Sequence, residues 1–465
     1  MKRTCLKVRC VTQLSEPSTT SRTHRLVMPI VAVGVLLSGF DLFIVNVALP
    51  DLARDIEVGQ LADLSWILNA YTVAFAALLI PAGRASDRLG AKRAFLTGLS
   101  VFVIASALCA ASPDLGLLVA ARVVQAAGAA IMIPASLGLL LATTAPERRG
   151  GAVRLWAGLG GVGAALGPVI GGVLVQVDWR WVFLVNVPVG VVAIVVGWRA
   201  LPHVPGHDGP PPRLGGSLLL VATVAAAVSA LVNGPEWGWG SVTTLGFGLG
   251  SVVGAALVTA SIVRGRDPIV DVGVLRAPAF ASSTVTLLVF HVAFGAMLLS
   301  VVLWMQGRWD FSALQAGLAI APGPLLVPFV AVLAGRLAST IDARLLVLLG
   351  SATFAAGIAT WAAFVDPGSS YAATLLPGMV LTGVGVGLVV PSSMARGTAH
   401  LPAHRFSTGS AVLSTARQIG IALGVAVLVA VLGSSPDADT FVTAWWVTAV
   451  IAVAAGLTSS VRSTP

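Results

Sequence analysis

Arg122-Val-Val-Gln-Ala-Ala-Gly-Ala-Ala-Ile-Met-Ile-Pro-Ala-Ser136 decides the fold. It puts one arginine into an otherwise apolar run, 115–142, and its second part recurs farther along. Gly128-Ala-Ala-Ile-Met-Ile-Pro-Ala-Ser136 matches Gly385-Val-Gly-Leu-Val-Val-Pro-Ser-Ser393, an offset of 257 (128 to 385). Gly163-Ala-Ala-Leu-Gly167 matches Gly420-Ile-Ala-Leu-Gly424 at the same offset (163 to 420), and Gly83-Arg-Ala matches Gly335-Arg-Leu at 252 (83 to 335). The chain therefore reads as a repeat. Two parallel copies related by an axis along the membrane normal place a binding site between them, near the midplane.

Composition sets the surroundings. Of 465 residues, 57% are hydrophobic and 10% charged, against about 25% charged in a soluble domain. A water-soluble enzyme and a disordered chain are both excluded. Unbroken apolar runs long enough for membrane helices replace the short alternating strands of a barrel. Fourteen runs are expected: 26–49, 64–82, 94–112, 115–142, 152–175, 181–201, 214–233, 243–263, 281–304, 313–335, 344–365, 372–392, 410–432 and 440–459. Runs 1–6 repeat as runs 9–14, and runs 7 and 8 are an inserted pair. The expected divisions are a tail (1–25), a six-helix bundle (26–201), the insert (202–264) and a second bundle (265–465).

Alternate loops differ in charge. One set carries Arg84, Arg88, Lys92, Arg93, Arg148, Arg149, Arg154, Arg264, Arg266, Arg276, Arg336, Arg344, Arg396 and Arg405. The other is mainly acidic, with Asp51, Asp55, Asp114, Asp178, Glu236, Asp310, Asp366 and Asp437. By the positive-inside rule both termini are expected in the cytoplasm. The net charge of +9 then reports topology rather than nucleic-acid binding. The N-terminal stretch lacks the apolar core of a cleaved signal peptide. Cys5, Cys10 and Cys109 form neither a metal site nor a disulfide framework, and no phosphate-binding loop is visible. No cofactor is expected.

Four segments resemble the major facilitator superfamily, in its fourteen-helix drug:proton antiporter branch. Asp41-Leu-Phe-Ile-Val-Asn46-Val-Ala-Leu-Pro50 is similar to that branch's first-helix signature, with Phe43 where threonine is usual. Arg122-Val-Val-Gln125-Ala-Ala-Gly128 resembles the fourth-helix signature, with Ala126 replacing glycine. Gly163-x-x-x-Gly167-Pro168-x-x-Gly171-Gly172, followed by Trp179-Arg-Trp-Val-Phe-Leu-Val-Asn186, resembles the antiporter signature. Gly83-Arg-Ala-Ser-Asp87-Arg88-Leu-Gly90 is similar to the superfamily's first loop signature, with Ala85 and Ala91 departing from it. The resemblance implies an all-α polytopic membrane protein of the major-facilitator fold, two six-helix bundles plus two inserted helices. It implies alternating access in a bacterial plasma membrane, without enzymatic chemistry.

A membrane carboxylate is costly and marks a functional site or a fixed ion pair. Asp41 is therefore the candidate proton carrier, and Arg122, at similar depth, the group that sets its protonation. A purely structural pair is the alternative. His291 lies 250 residues after Asp41 and is a second candidate for protonation, or a hydrogen-bonded interhelical histidine. Candidate substrate contacts are Phe43, Asn46, Trp66, Asn69, Tyr71, Gln125 and Phe294. Gly163, Gly167, Pro168, Gly171 and Gly172 are expected to serve conformational change. Gly83, Asp87, Arg88 and Gly90 are expected to do the same, Asp87 as a latch. The expected activity is proton-coupled export of hydrophobic, in one version cationic, drugs or antibiotics. Expected partners are a small hydrophobic substrate, protons and the bilayer, around a monomer. The alternatives are a narrow-substrate exporter of a metabolite, siderophore or lipid, and a non-transporting receptor or scaffold.

Overall fold

Inside a bilayer every backbone polar group must find a partner within the protein, which leaves long apolar segments only the helix. A computed structural model describes residues 20–56, 60–206, 215–264, 277–338, 340–399, 406–433 and 436–459. The first six helices are α1 (Thr20–Asp55), α2 (Leu61–Leu89), α3 (Ala91–Ala110), α4 (Leu115–Thr143), α5 (Pro146–Val175) and α6 (Trp181–Ala200). The insert is α7 (Gly215–Trp237) and α8 (Val242–Val263). The rest are α9 (Pro278–Arg308), α10 (Ala313–Leu337), α11 (Ala343–Phe364), α12 (Tyr371–Thr398), α13 (Phe406–Leu432) and α14 (Ala438–Thr458). Thirteen are long and apolar enough to cross a membrane, and α5, a helix of 30 residues, is the fourteenth. The protein is a multi-pass membrane protein.

Interruptions fall at recognisable places. α6 breaks at Val185, α10 at Ala321 before Pro322, and α12 opens with a π turn, Tyr371–Leu375. Several acids cap helices, which suits a carboxylate at the positive end of a helix. Asp114 accepts the Leu117 amide and Asp342 the Arg344 amide. Asp437 forms a capping box with Thr440, whose backbone amide and hydroxyl hold its carboxyl below the ordinary value. Asp51, Arg54 and Asp55, expected just beyond the first helix, lie in its last turns. There Arg54 pairs with Asp51, and Asp55 accepts from Trp179 and Arg180, each at 2.8 Å.

The repeat appears as packing. In the first half α3 packs on α4, α1 on α5, α2 on α4 and α3 on α6. In the second, α11 packs on α12, α9 on α13, α10 on α12 and α11 on α14. The repeated glycines make equivalent crossings. A Cβ on Gly128 would stand 2.5 Å from Phe102 N, and one on Gly385 2.6 Å from Phe354 Cβ. Small residues allow that approach where no hydrophobic force acts between helices in lipid. The halves meet where α2 lies on α13 and α5 on α10. α7 covers α2 and α13, while α8 packs mainly on α7 and exposes Leu249, Val252 and Leu257.

The α5 signature has two faces. Gly163, Gly167 and Gly171 seat α1 at Gly39, Phe43 and Ile44. Gly172 meets Ala313 and Leu314 of α10 in the other half, and the Pro168 carbonyl lies against Gly317. In the first loop, Gly90 has φ +88°, which favours glycine, and Val204–Gly206 crosses the turn against the Arg88 carbonyl. Arg88 is exposed and Gly83 half-buried, with Pro134 Cβ 3.9 Å from a Cβ built on it. The side chain of Asp87 lies outside the described residues, as do residues 1–19 of the expected tail.

The contact between the halves should be sensitive at one point. Gly317→Leu drives a side chain into the Pro168 backbone, and overpacking costs about 1–3 kcal/mol. A clear fall in the thermal midpoint in detergent is expected. Gly335→Leu, exposed on the same helix with no atom within 4 Å, should leave the midpoint unchanged.

Candidate functional site

Asp41, on α1, is fully buried and pairs with Nη1 of the equally buried Arg122 on α4. Nη1 also donates to Gln125 Oε1 at 2.6 Å, and Nε donates to the Ile67 carbonyl of α2 at 3.1 Å. Gln125 Nε2 donates to Asp41 Oδ1 at 2.7 Å and to Ser106 Oγ at 2.8 Å on α3. Asn186, at the break in α6, donates to the same hydroxyl at 3.4 Å. The Tyr71 ring lies 4.2 Å from the guanidinium carbon of Arg122, a cation–π distance, and its hydroxyl meets Ser38 at 3.5 Å. Five helices thus converge on one charge pair. Arg122 Nη2 has no partner among the described residues.

Arg122 also borders a small cavity of about 20 Å³ between the halves. The first half lines it with Leu42, Phe43, Asn46, Leu68, Thr72 and Arg122. The second half contributes Phe294, Gly295, Leu298, Ile421 and Val425. Phe43 and Phe294 meet edge to face across it at 6.2 Å. Ligand sites usually measure about 300–1,000 Å³, so the structure holds this space nearly closed. Asp41 does not line the cavity. It sits behind Arg122, so the polar group offered to a ligand at that point is a guanidinium.

The expected residues divide accordingly. Phe43, Asn46, Arg122 and Phe294 line the cavity; Asn46 donates to the Leu42 carbonyl at 3.1 Å. Asp41, Gln125 and Tyr71 lie behind it. Trp66 packs with the cluster that joins α2, α7 and α13. Asn69 is fully buried in α2, where its amide reaches Ser65 Oγ at 3.5 Å.

His291 is away from Asp41. Its Nδ1 meets the Leu287 carbonyl at 2.7 Å, and Arg417 Nε donates to Nε2 at 3.2 Å. The reason is register. Gly163 packs on Leu36 and Gly39, and its repeat Gly420 packs on Leu288 and His291. In the first helix of each half the offset is therefore 252 (36 to 288, 39 to 291), so His291 matches Gly39. Asp41 corresponds to Ala293, and Arg122, at offset 257, to Met379. The second half repeats the packing without repeating the charge pair. Ser106, Asn186 and Thr72 were not anticipated. Asn186 had a visible signal, since it ends the Trp179–Asn186 stretch, whereas the two hydroxyls had none.

Comparison with known proteins agrees with the fold. The family model described as Major Facilitator Superfamily matches residues 31–425 and 283–463. The multidrug resistance protein Stp of Mycobacterium tuberculosis is 31% identical over 89% of this chain and 77% of its own length. The tetracenomycin C resistance and export protein of Streptomyces glaucescens is 32% identical over 89% and 77%. A puromycin resistance protein of Streptomyces alboniger is 33% identical over 91% and 86%. The chain belongs to the major facilitator superfamily and is a membrane transporter.

Removing one partner of a buried ion pair costs about 3–5 kcal/mol, whereas removing both is far less damaging. Arg122→Gln should lower the thermal midpoint in detergent more than the double substitution Asp41→Asn, Arg122→Gln. Additive effects would mean that the two charges are independent.

Proposed function

We propose that this transporter exports hydrophobic small molecules, antibiotics among them, in exchange for protons. The observation that carries the reading is the buried Asp41–Arg122 pair, with its arginine on the cavity wall and its carboxylate behind it. With Asp41 ionised, the charge of Arg122 is balanced and the wall is nearly neutral, which suits an apolar ligand. A proton on Asp41 removes the balance. A bare guanidinium then adjoins the cavity, and an apolar ligand must either leave or strip water from it. Proton and substrate therefore oppose each other, the thermodynamic requirement for exchange.

The relatives add the substrate class, since their names record resistance to or export of puromycin and tetracenomycin C. Phe43, Phe294, Leu298 and Ile421 provide an apolar wall for such compounds. Direct pairing of Asp41 with a cationic substrate has less support, because Asp41 does not line the cavity. The alternating loop charges favour both termini in the cytoplasm, and the bacterial relatives favour a bacterial plasma membrane. One chain contains both halves of the cavity, so a monomer suffices.

The test is resistance conferred on an efflux-deficient bacterium challenged with puromycin, methylenomycin A and tetracenomycin C. Wild-type protein is expected to raise the inhibitory concentration of at least one compound and lower its accumulation, with a protonophore reversing both. Asp41→Asn should abolish the effect at equal membrane expression. A wild-type protein that alters none of the three would remove the antibiotic-export reading, and full activity in Asp41→Asn would remove Asp41 from coupling.

A further inference from the structure

Among the described residues, the second half holds a cation without a counter-charge. Arg417 lies well inside α13, 11 residues after Phe406 and 15 before Leu432. It forms none of the ion pairs among the described residues, and its one hydrogen bond there is to His291. The sequence supplies no other partner at this depth. Between Pro278 and Thr458 the acids are Asp310, Asp342, Asp366, Asp437 and Asp439, all at helix ends. In the first half Asp41 already serves Arg122. The membrane interior therefore carries one positive charge more than its own carboxylates balance, and such a charge is expensive unless something pairs with it.

The geometry indicates what that partner is. The Leu287 carbonyl takes the Nδ1–H of His291, which leaves Nε2 as the acceptor for Arg417 and makes the ring neutral. That contact holds Nε and leaves both terminal nitrogens of the guanidinium, the fork that matches a carboxylate. Arg417 is only partly buried. It stands one helical turn from Ile421, and His291 one turn from Phe294, both on the cavity wall; the His291 and Phe294 rings are 5.8 Å apart. In both helices the pair lies on the basic-loop side of the cavity.

We infer that Arg417, oriented by His291, is the anion-binding end of the substrate site, and that the transported molecule carries a carboxylate at one end of an apolar body. This rests on the export reading and adds the substrate's charge to it. The apolar body lies against Phe43 and Phe294 while the acid reaches Arg417. Protonation of Asp41 still opposes binding, because the wall it charges faces the body and not the acid.

The test compares two fluorescent probes of the same apolar body, the anionic 1-pyrenebutyrate and its neutral methyl ester. Binding is measured to the full chain in phosphatidylcholine nanodiscs. Wild type should bind the acid about tenfold or more tightly than the ester, the equivalent of one good charged contact. Arg417→Gln should equalise the two while retaining ester binding, which also reports folding. Arg417→Lys should keep part of the preference. Wild type that binds both equally, or neither, overturns the inference, as does a preference that persists in Arg417→Gln. Loss of acid binding on adding phosphatidylglycerol assigns Arg417 to a lipid headgroup and likewise overturns it. The two readings fail separately. Acid preference without antibiotic export removes the exporter reading alone, and export with charge-indifferent binding removes the carboxylate site alone.

Discussion

A carboxylate held away from water must be neutralised by the protein around it, and the first half of this transporter is arranged about that requirement. α4 supplies the guanidinium and Gln125 to Asp41, α2 a backbone carbonyl and the Tyr71 ring, α3 the Ser106 hydroxyl that holds Gln125, and α6 the Asn186 amide that donates to that hydroxyl. Such a pair adds little net stability, since desolvation offsets most of the Coulomb attraction. What it provides is sensitivity: one proton removes the balance, and only one side of the pair adjoins the cavity. In the proposed exchange, the charge that changes and the charge that the ligand meets are different groups in contact.

The halves share a scaffold and divide the chemistry. The same glycine crossings bring α1 to α5 and α9 to α13, yet the positions equivalent to Asp41 and Arg122 are Ala293 and Met379, both buried and apolar. In place of a balanced pair the second half has Arg417 beside a neutral histidine. A symmetric cavity with a carboxylate in each half would bind two protons in like environments. In the proposed exchange the asymmetric one separates a titrating site from a permanently charged one.

Much of this was legible in the chain. Helix number followed from hydrocarbon thickness and the repeat from the constant spacing of Gly128, Gly163, Gly385 and Gly420, because close helix crossings leave no alternative to small residues. Asp41 and Arg122 stood out because charges are rare at membrane depth. Which way each side chain turned was not legible. Tyr71 and Gln125 face the ion pair and not the cavity, and Trp66 faces the insert, since side-chain direction depends on helix rotation that composition leaves open. His291 stands two residues before Ala293, the position equivalent to Asp41, and two residues turn a helix by about 200°, so it meets Arg417 as a hydrogen-bonded interhelical histidine.

The inserted pair has a physical place in the same scheme. The seam of α2 and α13 joins the halves along Val73, Ala422, Ala426 and Val429, and α7 covers it with Val224, Val228 and Val232. These surfaces are short and apolar, without salt bridges among the described residues. Dispersion contacts of that kind are individually weak and replaceable by equivalent ones a fraction of a turn away. Thr415, which donates to the Ala76 carbonyl at 3.1 Å, is a polar tie from α13 to α2. At the acid-capped end Gln60 and Glu236 approach at 3.4 Å. A cover that meets both halves through valine and alanine faces keeps lipid out of the seam. α8, with its large apolar side chains turned outward, then presents that cover to the hydrocarbon.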